Sequence, residues 1–210
     1  MFLLSYLDGF GNYCMRILPV VLIFQILFLI AGKARRHGFH PLHEIGILVY
    51  SATAIAVFNA TGISPLSGFT PYIQGPINLV PFTDITNGGF IANIVLFIPL
   101  GFLLPLFWQS CRKFYKTLIL GAFVSAAIEI WQMFLIRVTD IDDFFANSAG
   151  VLLGYLLFAS LRLICPGLLA QFTGSDDQKG TGILKLEPLF YIVLPFAAIL
   201  LIGFYQRSFF

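Results

Sequence analysis

The sequence is short of charge. Only 10% of its 210 residues are Asp, Glu, Lys or Arg, against about 25% in an ordinary soluble domain, which excludes a conventional solvated surface. The net charge of +2 leaves no basic stripe of the kind that nucleic-acid binders present, so no nucleic-acid partner is expected. Cysteine is also scarce: Cys14, Cys111 and Cys165 stand singly, without a C-x-x-C pair or a histidine at metal-ligand spacing, and support neither a disulfide framework nor zinc. No G-x-S-x-G, phosphate-cradling glycine loop or H-E-x-x-H occurs, so the common hydrolase, nucleotide and zinc-protease chemistries lack their signatures. No repeat of fixed period and no low-complexity tract is evident. Residues 1–12 lack the basic n-region of a cleaved signal peptide, and the apolar run behind them is long enough to span a bilayer, so an uncleaved first helix is expected.

What the chain has instead is apolar length. Hydrophobic residues make up 59% of it, and a spanning helix needs about 20 mostly apolar residues. Six such stretches stand out, at residues 14–31, 45–60, 90–108, 117–136, 144–164 and 188–205. The fold expected is an all-α integral membrane protein, a single polytopic domain over residues 1–210 with about six transmembrane helices in one bundle. Lys33, Arg35 and Arg36 follow the first stretch; Arg112, Lys113 and Lys116 follow the third; Arg162, Lys179 and Lys185 attend the end of the fifth. Those segments are expected to be cytoplasmic, because Lys and Arg accumulate on that side. Residues 61–89 contain neither Lys nor Arg, and residues 137–143 contain only Arg137. These face outward in that scheme, and both termini are extracytoplasmic.

The outward segment from Thr61 to Gly89 carries Pro65, Pro71, Pro76 and Pro81, five glycines, and Asp84 as its one charge. Two readings fit it: an irregular loop in the headgroup region, or a lid folded over the bundle, since irregular backbone at membrane depth requires cover. On the fourth stretch Ser125, Glu129 and Gln132 fall at i, i+4 and i+7, on one stripe. Glu129 lies roughly 10 Å inside the outer boundary at 1.5 Å per residue, where a lipid-facing carboxylate costs about 3 kcal/mol. It is a functional candidate, or a hydrogen-bonded tie between helices. On the fifth, Asp143, Asn147, Gly150 and Gly154 form a second stripe, and its G-x-x-x-G predicts close approach to the fourth helix. Thr139-x-x-Asp142 fits a capping box, so Asp142 reads as a cap. Asp140 and Asp143 flank the turn beside Arg137 and stand over Glu129, which points to function. Asn93, about 5 Å below the same boundary, reaches the level of Asn147, and Pro99 is positioned to kink its helix. His37, His40 and His43 are interrupted by Gly38 and Pro41 and are set aside as a metal group. The 24 phenylalanines are assigned to packing and lipid contact rather than cofactor stacking.

Five blocks occur in order: Asn78-Leu79-Val80-Pro81-Phe82; Asn93-Ile94-Val95-Leu96-Phe97-Ile98-Pro99-Leu100-Gly101; Glu129-Ile130-Trp131-Gln132; Arg137-Val138-Thr139-Asp140-Ile141-Asp142-Asp143; and Asn147-Ser148-Ala149-Gly150. Over about residues 76–158 the chain resembles the VanZ-like family of small bacterial membrane proteins. The family's acidic turn reads T-D-x-x-D followed by Asn, which matches Asp140, Asp143 and Asn147. The resemblance implies a multi-pass protein of the bacterial cytoplasmic membrane. It also implies low-level resistance to teicoplanin, a lipid-tailed glycopeptide, without the precursor rewriting done by other products of vancomycin-resistance clusters. Two mechanisms fit the residues. In one, an outward polar pocket binds or modulates an envelope component: membrane lipid, a lipid-linked cell-wall precursor, or the glycopeptide. In the other, Glu129 is a base for an intramembrane hydrolase or transferase and Asp140 and Asp143 hold a divalent ion. An ion-coupled transporter is a lesser alternative. Glu129, Asp140 and Asp143 are the candidate catalytic groups and Asn93, Gln132, Arg137 and Asn147 the candidate binding groups; the leading reading assigns no metal.

Overall fold

The computed structural model describes residues 2–34, 41–63, 72–83, 88–135, 137–173 and 187–209. The long helices are α1 (Phe2–Ala34), α2 (Pro41–Ala60), α3 (Gly88–Phe107), α4 (Phe114–Gln132), α5 (Ile141–Ile164) and α7 (Glu187–Phe209), with the short α6 (Pro166–Ala170) between the last two. Helix is the expected outcome for such sequences, because in hydrocarbon every backbone amide and carbonyl must be satisfied within its own segment. Proline stands at the first position of α2 and α6, where its missing N–H costs nothing. The described part of each expected stretch lies largely within a helix; α4 ends at Gln132, four residues earlier than expected, and its last residues turn instead.

Among the described residues, five helices are long and apolar enough to cross a membrane: α1 over Leu7–Leu27, then α2, α3, α4 and α5. The protein is accordingly a multi-pass, all-helical membrane protein. α7 is a 23-residue helix whose apolar stretch, Glu187–Ile202, is shorter. Ile23, Ile119, Phe123, Ile130 and Leu157 are exposed on the outside of the bundle, where lipid would cover them.

α3 and α5 make the closest helix pair. A Cβ added at Gly101 would overlap the Val151 carbonyl oxygen, one at Gly150 that of Ile94, and one at Gly154 that of Ile98. Three glycines therefore let two backbones touch, with dispersion and Cα–H···O contacts replacing side-chain packing. The glycine pair of α5 was expected to meet α4; it meets α3, whose own Gly101 completes the seam. α4 takes the adjacent face of α5, where Gly121 accepts the Val151 side chain. Around this seam lie the buried Phe97, Leu100, Leu104, Ile128 and Phe158.

At one end of the bundle α2 and α3 are tied to the start of α7. The Trp108 Nε1–H donates to Glu187 Oε2 at 3.1 Å, the Tyr50 hydroxyl to the Pro188 carbonyl at 3.4 Å, and the two rings meet edge-on at 4.8 Å. His43 is buried there against Phe107 and Trp108, its Nδ1 3.3 Å from the Phe172 carbonyl oxygen. His37 and His40 lie outside the described residues, as does Asp84.

The glycine seam makes a sharp prediction. Gly154→Leu is expected to destabilise the detergent-solubilised protein by about 1–3 kcal/mol, the usual range for overpacking, and to lower its thermal midpoint. Gly11→Ala adds a methyl that meets nothing within 4 Å and leaves the midpoint unchanged. Equal midpoints for the two variants would contradict the backbone contact.

Candidate functional site

The opposite end of the bundle is built around the close of α2. Gly62, at φ 67°, adopts the left-handed backbone that glycine takes without penalty. Its N–H donates to the Asn59 carbonyl at 3.2 Å and that of Ile63 to Phe58 at 3.2 Å, the two bonds of a Schellman motif. The Thr61 carbonyl is left to other partners, and two side chains supply them: Gln132 Nε2 donates to it at 2.9 Å and the Arg137 guanidinium at 2.6 Å. A cation at a helix C-terminus also complements the macrodipole. Glycine is required twice here, because a Cβ at Gly62 would strike the Arg137 guanidinium and one at Gly75 the Arg137 carbonyl.

Between α4 and α5 the chain passes through Thr139–Asp140 (β2), which pairs in parallel with Ile77–Asn78 (β1) in the register Ile77 to Thr139 and Asn78 to Asp140. Flanking bonds extend this contact: Gln74 N–H donates to the Met133 carbonyl and Thr139 N–H to that of Pro76, both at 3.1 Å. Residues 72–83 are thus fastened to the turn between α4 and α5. Asp140 caps α5, accepting from the Asp142 N–H at 2.9 Å, and also accepts from Asn78 Nδ2 at 3.0 Å. Asp142, read from the sequence as the cap, has a different task. Buried to 1% exposure, it accepts the Phe82 N–H at 2.6 Å. Phe82 sits at φ 66°, a backbone that costs a bulky residue about 1–2 kcal/mol. The charge-assisted bond from Asp142 and a stacked contact with Phe145 at 5.7 Å hold it there.

Beside this turn lies a cavity of about 540 Å³. α2 contributes Ala60 and the adjoining Thr61, α3 contributes Gly89, Phe90 and Asn93, and α4 contributes Glu129 and Gln132; Arg137, Val138 and Asp140 come from the turn, and Asp142, Asp143 and Asn147 from α5. All seven residues singled out in the sequence meet in this cavity. Asn93 Nδ2 donates to Asp143 Oδ1 at 2.6 Å, Asn147 Nδ2 to Ser125 Oγ at 2.9 Å, and the Asp140 N–H to Glu129 Oε2 at 3.4 Å. Ser125, Glu129 and Gln132 are all buried, so the polar stripe of α4 faces protein throughout. Arg137 is exposed at the rim.

Two acceptors in the wall have no hydrogen-bond partner among the described residues: Gln132 Oε1 and Asn147 Oδ1. Each such group costs about 1–3 kcal/mol when left dry. Among the described residues, Glu129, Asp140 and Asp143 form no ion pair, and no three acids, histidines or cysteines converge as a ligand set for a metal. The arrangement is therefore rich in acceptors and acid groups and poor in unengaged donors, apart from Arg137 at its edge. Chemically it suits a ligand that brings hydrogen-bond donors or positive charge.

Sequence reasoning missed three contributions. Asn78 lies within a family-like block but was not picked as a site residue. The Thr61 carbonyl has no side-chain signature; Gly62 after the apolar run of α2 was the available sign. Asp142 was discounted because its spacing from Thr139 imitated a capping box.

A helical bundle crossing the membrane several times, with an acid-rich cavity where the ends of α2, α3, α4 and α5 converge, defines a polytopic membrane protein with a built polar site. The chain belongs to the VanZ/LLP1 family, whose sequence model matches residues 17–163, a stretch wider than the 76–158 core and reaching back through α2 into α1. It is similar to Protein VanZ of Enterococcus faecium, with 38% identity over 92 residues that cover 41% of this chain and 55% of that protein. The matched stretch thus spans about half the length of that relative. No solved structure matches the chain.

The clamp on the cover can be tested directly. Asp142→Ala removes the acceptor for the Phe82 N–H, a charge-assisted bond worth about 1.5–3 kcal/mol. Amide exchange in residues 72–83 is expected to rise by about tenfold or more, with the α3–α5 seam still protected. Unchanged exchange at Phe82 would show that Asp142 does not hold it.

Proposed function

We propose that the cavity faces the outer side of a bacterial cytoplasmic membrane and binds an envelope component. By this binding the protein gives low-level resistance to teicoplanin-type glycopeptides, as membership of the VanZ/LLP1 family suggests. One observation carries the reading: Glu129, Asp140 and Asp143 gather with the unpartnered Gln132 Oε1 and Asn147 Oδ1 around one cavity, which a donor-bearing ligand would complete.

The orientation follows from charge. α2 and α4 end, and α3 and α5 begin, at the cavity, so this end holds the segments poor in Lys and Arg. The other end holds Arg112, Lys113, Lys116 and Arg162, which favour the cytoplasm. With α7 as a sixth span, both termini lie outside.

A second reading has its own support. Glu129 is 8% exposed and its carboxylate has one hydrogen bond among the described residues, at 3.4 Å, an environment that suits a general base. An intramembrane hydrolase or transferase acting on a lipid-linked envelope substrate would use it. Glu129→Gln separates the two readings, because the amide keeps an acceptor and the shape but cannot take a proton. In a teicoplanin-sensitive Gram-positive host, at equal protein level, Glu129→Gln is expected to retain most of the protection. Mass spectrometry is expected to find the same envelope lipids and wall precursors with and without the protein. Complete loss of protection in this variant, together with a new lipid or precursor species made by the unaltered protein, would establish the enzyme reading instead.

A further inference from the structure

We propose that the group this cavity takes is the primary ammonium of an acylated, phosphate-bearing lipid, held with its phosphate at Arg137 and its chains along the cover. The inference rests on the reading of the cavity as a ligand site and names the chemistry of that ligand.

The interior sets the first requirement. Gln132 is 5% exposed and Asn147 1%, and the oxygen of each carboxamide lacks a partner. Both are acceptors, so the ligand must donate. Glu129, Asp140 and Asp143 surround the same space without an ion pair among the described residues, and a cation seated among them would favour their ionised form. A primary ammonium meets both demands, being a compact cation with three donors. A trimethylated ammonium carries the same charge with no donor, and leaves both carboxamide oxygens unsatisfied.

The rim sets the second requirement. Arg137 is the cation of the lining and lies at the exposed edge. One guanidinium nitrogen is engaged by Thr61, which leaves further donors of a planar fork suited to phosphate oxygens. An ammonium inside and a phosphate outside form the zwitterion of a phosphoethanolamine headgroup, and a cavity of about 540 Å³ falls within the size range of small-ligand sites.

The cover sets the third. Leu79 is 68% exposed, Val80 62% and Phe82 64%, on a segment fastened beside the mouth by the Asp142 and Asn78 bonds. Apolar side chains displayed at the end of a membrane bundle are placed to meet acyl chains at the interface.

The full-length protein, purified in detergent, should be titrated with dioleoylphosphatidylethanolamine, dioleoylphosphatidylcholine and dioleoylphosphatidylglycerol and the retained lipid read by native mass spectrometry. The ethanolamine lipid is expected to be held about tenfold or more tightly than the other two. Asp143→Asn and Gln132→Ala are expected to erase that preference. Where a variant unfolds, competition on the unaltered protein serves: water-soluble phosphoethanolamine is expected to displace the lipid only at large excess. Equal retention of the ethanolamine and choline lipids would overturn the proposal, and displacement by equimolar phosphoethanolamine would overturn its acyl part. Failure here is distinct from failure of the proposed function. Without lipid selectivity, pocket variants that still lose teicoplanin protection would leave that function standing; with selectivity, variants that protect normally would remove the function and keep the lipid site.

Discussion

The glycine contact between α3 and α5 is the constraint on which the polar site depends. Gly101, Gly150 and Gly154 let the two backbones touch, and the same approach carries Asn93 to within 2.6 Å of Asp143. Were either helix held off by a side chain, the wall formed by α3 and α5 would open and Asp143 would lose its donor. Membrane helices gain little from burying apolar area against one another, because lipid is equally apolar, so close backbone packing and interhelical hydrogen bonds set their arrangement. Here both act along one seam, with glycines in the membrane and a polar pair at its end.

A second layer of order comes from the turn between α4 and α5. Its acids hold the surrounding chain while facing the cavity: Asp140 caps α5 and receives Asn78, Asp142 fixes Phe82, and Asp143 receives Asn93, with Glu129 of α4 completing the acidic lining. Two carboxylates are thus spent on holding the cover, at bonds of 3.0 and 2.6 Å. Arg137 is held from the other side by the close of α2, through glycines that give it room. The consequence is a cavity whose acids are held by neutral donors, the amides of Asn78 and Asn93 and backbone N–H groups, and by no ion pair among the described residues.

Much of this was legible in the sequence because helical periodicity is a local property. Ser125, Glu129 and Gln132 had to share a stripe, and a polar stripe in a spanning helix had to avoid lipid. That logic found Glu129, Gln132, Asp143 and Asn147 among the residues that line the cavity; Arg137 and Asp140 were picked for their place in the turn and Asn93 for its depth. Periodicity does not say which neighbour a stripe meets, and the glycines of α5 were accordingly assigned to the sequence-adjacent α4 instead of α3. Spacing also could not tell which acid of the turn caps α5: Thr139-x-x-Asp142 has the capping-box form, yet the pairing of Ile77–Asn78 with Thr139–Asp140 moves the cap to Asp140. That pairing joins segments more than sixty residues apart through backbone groups, which leave no side-chain pattern. The Thr61 carbonyl was invisible for the same reason.

The central claim is that Gln132 and its neighbours line a cavity open to the outside. Its most direct test is thiol accessibility in a background where Cys14, Cys111 and Cys165 are replaced by Ser. A membrane-impermeant maleimide added to intact cells is predicted to modify Val138→Cys, at the exposed edge of the cavity lining, and to modify Lys113→Cys, just before α4 at the other end of the bundle, only after the membranes are broken. Modification of Lys113→Cys in intact cells, with Val138→Cys protected until lysis, would contradict the account.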